Sequence, residues 1–149
     1  MGQGQLLATP LQMAIVAATV ANGGEVPPVH LFLEARDRDI VLARYQPAEG
    51  RRIMRPETAE TVRQMMVRGV QDGWAKTAAI PGVAVAGKTG TAEVGPGQKE
   101  HAWFIGFAPA ENPVIAVAVV KEHAGQGSEE AAPVARQVMA AALQVAGQR

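Results

Sequence analysis

The sequence predicts an α+β fold in which helices and strands are segregated along the chain. Three observations carry this. Two stretches, 10–22 and 56–72, carry apolar residues at helical spacing between helix start and stop signals. Three strand-like runs between 83 and 120 follow one another with short Gly/Pro-rich links. Links of that length join antiparallel neighbours, because a parallel pair needs a long crossover. An alanine-rich stretch, Glu130 to Ala146, then closes the chain as a helix. The expected order is helix, hairpin, helix, three antiparallel strands and a final helix, with the helices packed on the sheet.

Each element has its own reason. Thr9 suits an N-cap and Pro10 the first helical position, while Gly23 supplies a left-handed stop after Asn22. Val29–Glu34 and Ile40–Tyr45 read as a hairpin around the polar turn Arg36-Asp37-Arg38-Asp39. Pro56 opens the second helix, which Val62, Met65, Met66 and Val70 give an apolar stripe and Gly73 ends. Trp74–Gly82 is a connection with room for one helical turn. The strand runs are Val83–Gly87, leading into Lys88-Thr89-Gly90-Thr91, then Ala102–Ala108 and Val114–Val120. The last is apolar at every position, which predicts cover on both faces. The closing helix is expected to begin near Glu130, because a start at Ser128 would leave Pro133 beyond the first turn.

Composition bounds the function. A chain of 149 residues is one domain or a large piece of one, and 48% hydrophobic residues argue for a real core. Acidic and basic residues balance, 14 against 14, so no electrostatic footprint for nucleic acid or an anionic membrane is expected. The absence of cysteine excludes disulfides and thiolate–metal sites. No apolar stretch reaches the roughly 20 residues of a membrane span. His30, His101 and His123 lack any metal-ligand spacing, and no cofactor is implied.

One motif needs separating from a false friend. Gly82-Val83-Ala84-Val85-Ala86-Gly87-Lys88-Thr89 matches the phosphate-loop pattern G-x-x-x-x-G-K-[ST] letter for letter. That pattern requires a loop across its variable residues and a helix after the threonine. Here the variable residues are strand-like, and Gly90, Gly95, Pro96 and Gly97 cannot open a helix. Lys88-Thr89-Gly90 at a strand reads instead as the K-T-G signature of penicillin-binding proteins and serine β-lactamases.

Four blocks extend the resemblance. They are Gly2-Gln3-Gly4-Gln5 with Thr9-Pro10-Leu11-Gln12-Met13-Ala14 and Ala21-Asn22-Gly23-Gly24; Gly87 to Glu93; Ala102-Trp103-Phe104-Ile105-Gly106-Phe107-Ala108-Pro109; and Ala131-Ala132-Pro133-Val134-Ala135-Arg136. In this order they resemble the C-terminal part of a class B penicillin-binding protein's transpeptidase domain, across nearly all of residues 1–149. The resemblance implies a partial β-lactamase/transpeptidase-like fold. It implies a D,D-transpeptidase that cross-links peptidoglycan at the outer face of the bacterial cytoplasmic membrane, with D-Ala-D-Ala stem peptides and β-lactams as ligands. It gives Lys88 a catalytic role in proton movement and carboxylate attraction. Hydroxyls of Thr89 and Thr91 would bind the terminal carboxylate, Gly90 would admit close approach, and the Thr91 backbone N–H would form half of an oxyanion hole.

The family's nucleophile, in S-x-x-K, and its S-x-N serine find no match. The single serine, Ser128, precedes Glu129-Glu130-Ala131. The chain alone is therefore expected to be catalytically silent, with the nucleophile-bearing N-terminal remainder as its partner. Without that remainder, the strand 114–120 becomes an open edge that a second copy or the missing segment would pair with. The alternative is a stand-alone, non-catalytic module that binds muropeptide, β-lactam or protein. Trp103, Ile105 and Phe107 share one strand face and are expected in the core, as is Trp74.

Overall fold

The computed structural model describes residues 6–147, so the Gly2–Gln5 block lies outside the described residues. Helix α1 spans Pro10–Ala21 and starts with a complete capping box. The Gln12 N–H donates to Thr9 Oγ1 at 3.2 Å, and the Thr9 N–H donates to Gln12 Oε1 at 2.8 Å. Gly23 and Gly24 leave the helix at φ +61° and +91°. At Gly24 a Cβ would stand 2.3 Å from the Met54 carbonyl oxygen, so glycine is required there for space as well as conformation. Beyond it the two-residue strand β1 (Glu25–Val26) pairs with β4 (Arg51–Arg52).

Strands β2 (Glu34–Asp37) and β3 (Ile40–Arg44) form the expected hairpin, but the first strand lies later than the sequence suggested. Residues 29–33 are not strand. The turn contracts to Arg38 and Asp39, with Arg38 at φ 51°, and this sets the register Glu34↔Arg44. Upstream, the pairing continues only as far as the Leu33 carbonyl, which accepts the Tyr45 N–H at 2.7 Å, and Pro27-Pro28 supply no amide donors. The Glu34 carboxylate, held below the usual carboxylate range by hydrogen bonds from Arg36 and then Arg44, fastens the two strands.

Helix α2 runs over Pro56–Gln71 and buries Ala59, Met66 and Val70, with Val62 partly buried behind them. Met65 departs from the expected stripe and is 65% exposed. Residues 62, 66 and 70 recur every four positions on one face, and 65 falls to its side. A 3₁₀ turn, Lys76–Ala78, follows. Trp74, before it, is 83% exposed, which corrects its expected packing.

Strands β5 (Ala86–Ala92), β6 (His101–Ala108) and β7 (Ile115–Lys121) form an antiparallel sheet in the order β5-β6-β7. β5 starts later than expected because Val83 closes a tight turn with Ile80. α3 (Gly127–Ala146) packs on one face and α1 on the other, while α2 runs against β5. The α3 side holds Val70, Val85, Phe104, Val117, Ala131, Ala135 and Met139. The α1 side holds Ala17, Val20, Met66, Ala86 and Phe107. β7 is covered on both faces, as its unbroken apolar run predicted, and among the described residues no strand lies beyond it.

α3 begins at Gly127, three residues earlier than expected, with Pro133 as its seventh residue. Proline forfeits only the bond to the Glu129 carbonyl, and Glu129 is exposed, where water can take that acceptor. The gain is a longer face of small residues fitted to the sheet. Lys121 pairs with Glu130 and ties the end of β7 to the first turns of α3. That contact, mainly its hydrogen bond, lowers the Glu130 carboxyl below its ordinary 4.5. A lowered folded-state value stabilises fully above 4.5 and is lost as pH falls through the folded value. Thermal melts of wild type and Glu130→Gln are therefore expected to differ at neutral pH, with the gap closing as the pH is taken progressively below 4.5. A gap that persists there would assign the effect to packing.

Candidate functional site

The site is built on the outer half of β5. Its inner half is pinned by glycine: Ala86 and Gly87 are buried, and a Cβ on Gly87 would lie 2.4 Å from the Phe104 ring and 3.1 Å from Val70. A Cβ on Gly106, opposite Gly87, would stand 2.8 Å from the same ring and 2.5 Å from the Ala86 carbonyl oxygen. Phe104, fully buried, thus lies over a glycine pair that only hydrogens could leave open. The arrangement fixes where β5 sits relative to β6.

From Lys88 the strand emerges at the edge of the sheet. Lys88 and Gly90 lie opposite Ile105 and Trp103 on the α1 face, while Thr89 and Thr91 alternate to the other face, opposite Phe104 and Ala102. An edge strand can be reached around both faces, and all four residues line one groove of about 340 Å³. Leu6, Ala8 and Met13 wall it on the α1 side, with Ala92, Trp103 and Ile105 completing it. Lys88 and Thr91 are exposed, and the Lys88 ammonium donates to the Thr89 carbonyl. The strand passes straight through Thr89 to Ala92 with no helix, which excludes the phosphate-loop geometry.

The back of the strand is as closely fitted as the groove is open. Gly127, the first residue of α3, sits against the Gly90–Trp103 pair. A Cβ there would stand 2.3 Å from the Trp103 carbonyl oxygen and 2.4 Å from that of Gly90. Ser128, next in the chain, accepts a hydrogen bond at its carbonyl from Thr77 Oγ1, tying the 3₁₀ turn to the helix start. Thus the four predicted residues come together, and Ser128 stands on α3 rather than among the groove-lining residues.

Sequence reasoning missed several contributors, Leu6 and Ala8 among them. Trp103 lines the groove rather than the core, although its face-mates Ile105 and Phe107 do pack against the α1-side core. Met13 belongs to a helix read only as framework. Gly127 drew no reading; a second glycine two residues after Gly125, just where a helix begins, was the available signal of close approach.

Comparison with known proteins defines the class. The penicillin binding protein transpeptidase domain matches residues 1–140, and the chain belongs to that family. It is 41% identical to the peptidoglycan D,D-transpeptidase PbpA of Mycolicibacterium smegmatis over 95% of its length, covering 30% of that protein. It is 35% identical to the peptidoglycan D,D-transpeptidase MrdA of Haemophilus influenzae over 93% of its length, covering 24% of that protein. Among solved structures it resembles penicillin-binding protein A of M. tuberculosis in a ceftriaxone acyl-enzyme complex. The TM-score is 0.86 at 38% identity, covering 95% of this chain and 34% of that one. The chain thus spans about a third or less of the length of these relatives.

Proposed function

We propose that this chain is the C-terminal portion of a penicillin-binding transpeptidase domain and supplies the substrate-holding side of its active site. The observation that carries the reading is the open edge of β5, with Lys88, Thr89, Gly90 and Thr91 lining a single groove. An extended peptide adds to such an edge through its backbone, and the neighbouring side chains choose its end group. Lys88 supplies the positive charge that draws a terminal carboxylate and assists proton movement at the reacting serine. The hydroxyls of Thr89 and Thr91 bond the carboxylate from the strand, and Gly90 leaves room for the ligand against the backbone. The Thr91 N–H contributes to an oxyanion hole, where a donor is worth most as charge develops on the attacked carbonyl.

The reaction class is acyl transfer between peptidoglycan stem peptides ending in D-Ala-D-Ala, with β-lactams docking in the same groove. Its place of action is the outer face of the cytoplasmic membrane. Among the described residues no helix is long and apolar enough to cross a membrane. The nucleophile belongs to a preceding S-x-x-K segment, which also pairs with the free edge of β7. In its absence a second copy takes that edge.

A fluorescent penicillin tests this directly. The 149-residue chain alone is expected to take no covalent label. Combined with an upstream transpeptidase segment carrying S-x-x-K and S-x-N, it should form a one-to-one species that labels. In that complex Lys88→Ala is expected to lower the acylation rate by about a hundredfold, the scale of losing one transition-state contact. Thr91→Pro, which removes the N–H, should cost more than Thr91→Val, which keeps it. Covalent labelling of the chain by itself would overturn the account of where the nucleophile lies.

A further inference from the structure

Beyond the outer end of the groove, the β5–β6 connection meets the turn between β7 and α3, and two histidines join them. The His123 backbone N–H donates to His101 Nδ1 at 2.9 Å, and His123 Nδ1 lies 3.3 Å from the Lys99 carbonyl oxygen. The rings meet edge to face, 4.7 Å between centroids at 73°. A third bond, from the Gly125 N–H to the Glu100 carbonyl at 3.0 Å, completes the junction. His123 holds φ 50°, a left-handed conformation uncommon for a residue with a side chain. His101 stands opposite Ala92, one residue past Thr91, and three residues separate His123 from Gly127 behind Gly90.

The chemistry of the partners fixes both tautomers. A backbone N–H can only donate, so His101 Nδ1 is unprotonated and its ring proton resides on Nε2. A carbonyl can only accept, so His123 carries its proton on Nδ1. Protonating His123 leaves its bond to Lys99 in place. Protonating His101 converts its acceptor into a donor facing another donor, and the bond to His123 cannot persist. The two adjacent imidazoles would then also repel whenever both were charged.

We propose that neutral His101 is a positioning residue. By accepting the His123 N–H it clasps the β7–α3 turn, seats Gly127 against Gly90 and holds the outer half of β5 in place. Protonation of His101 Nδ1 opens the clasp. The charges carried by the surrounding elements are Glu93, Lys99 and Glu100 on the β5–β6 connection, Lys121 and Glu122 at the end of β7, and Glu130 on α3. Of these, Lys121 is engaged by Glu130. The consequence for ligand rests on the function proposed above; the clasp itself does not.

Solution NMR on the ¹⁵N-labelled chain tests it. The ring nitrogens of His101 are expected to report the Nε2–H form at neutral pH. The protection factor of the His123 amide should fall about fivefold as acidification protonates His101, the scale of one hydrogen bond. Asparagine can present its oxygen where Nδ1 stood but cannot be protonated there. His101→Asn is therefore expected to keep the protection and lose its pH dependence, whereas His101→Phe loses the protection at both ends. An Nδ1–H form of His101, or His123 protection indifferent to both pH and His101→Phe, would overturn the proposal. Affinity for an N-acyl-D-Ala-D-Ala dipeptide should weaken in parallel in wild type and not in His101→Asn. If the clasp opens as stated and the dipeptide binds at no pH, the clasp stands and the ligand reading fails.

Discussion

Gly127→Ala is expected to lower the stability of the fold by about 1–3 kcal/mol, the usual cost of overpacking a closely fitted site. It should also weaken ligand capture more than its distance from the groove suggests. The new methyl would fall 2.3 Å from the Trp103 carbonyl oxygen and 2.4 Å from that of Gly90. Both are backbone atoms in paired strands, so no side chain can swing aside. Either α3 backs away from the sheet or the Gly90–Trp103 pair is pushed toward the groove. The first outcome loosens the Thr77–Ser128 bond, and the second displaces Thr89 and Thr91. Urea unfolding followed by circular dichroism measures the first quantity. Acylation by a fluorescent penicillin, in complex with the upstream segment, measures the second. Gly125→Ala makes a useful comparison, because a Cβ there meets open space and its cost comes from φ 107° alone. If both variants behave alike, backbone freedom rather than close contact governs the turn.

Phe104→Ala is expected to have the largest effect on stability, about 3–5 kcal/mol. Against a total of roughly 5–15 kcal/mol for a domain, that leaves a substantial unfolded population near physiological temperature. The ring is wholly buried, sits among residues of β7, α2 and α3, and covers Gly87 and Gly106, which have no side chains to collapse into the space. Phe104→Leu should recover part of the loss but leave the glycine pair incompletely covered. Denaturation midpoints of the two variants decide the matter; near-wild-type midpoints for Phe104→Ala would mean the site collapses freely.

Much of this was readable before any coordinates, for identifiable reasons. Thr9-Pro10 and Gly23 are local signals whose physics is complete within a few residues, and α1 fell where they placed it. The strands 101–108 and 115–121 were found because their apolar content and short links leave few other arrangements. Elements set by distant partners were harder. The hairpin moved because its turn closed on Arg38-Asp39, a choice no propensity of Val29–Leu33 reveals. α3 started early because Gly127 fits behind Gly90, a contact 37 positions away that outweighs one hydrogen bond lost at Pro133. Of the candidate site, the K-T-G residues were legible as a motif. The contribution of Trp103 was not, since alternation alone cannot distinguish a face turned to core from one turned to a cleft.

The covered glycine pair on β5 and β6 divides the binding strand into a part that can vary and a part that cannot. A slip of β5 by one position would bring a side chain where Gly87 now faces the phenyl ring, and would turn Lys88 toward the opposite face. Altered ligand preference must therefore come from the groove's periphery, at Met13, Ala92 and Trp103, whose replacement leaves the alignment of the two strands intact.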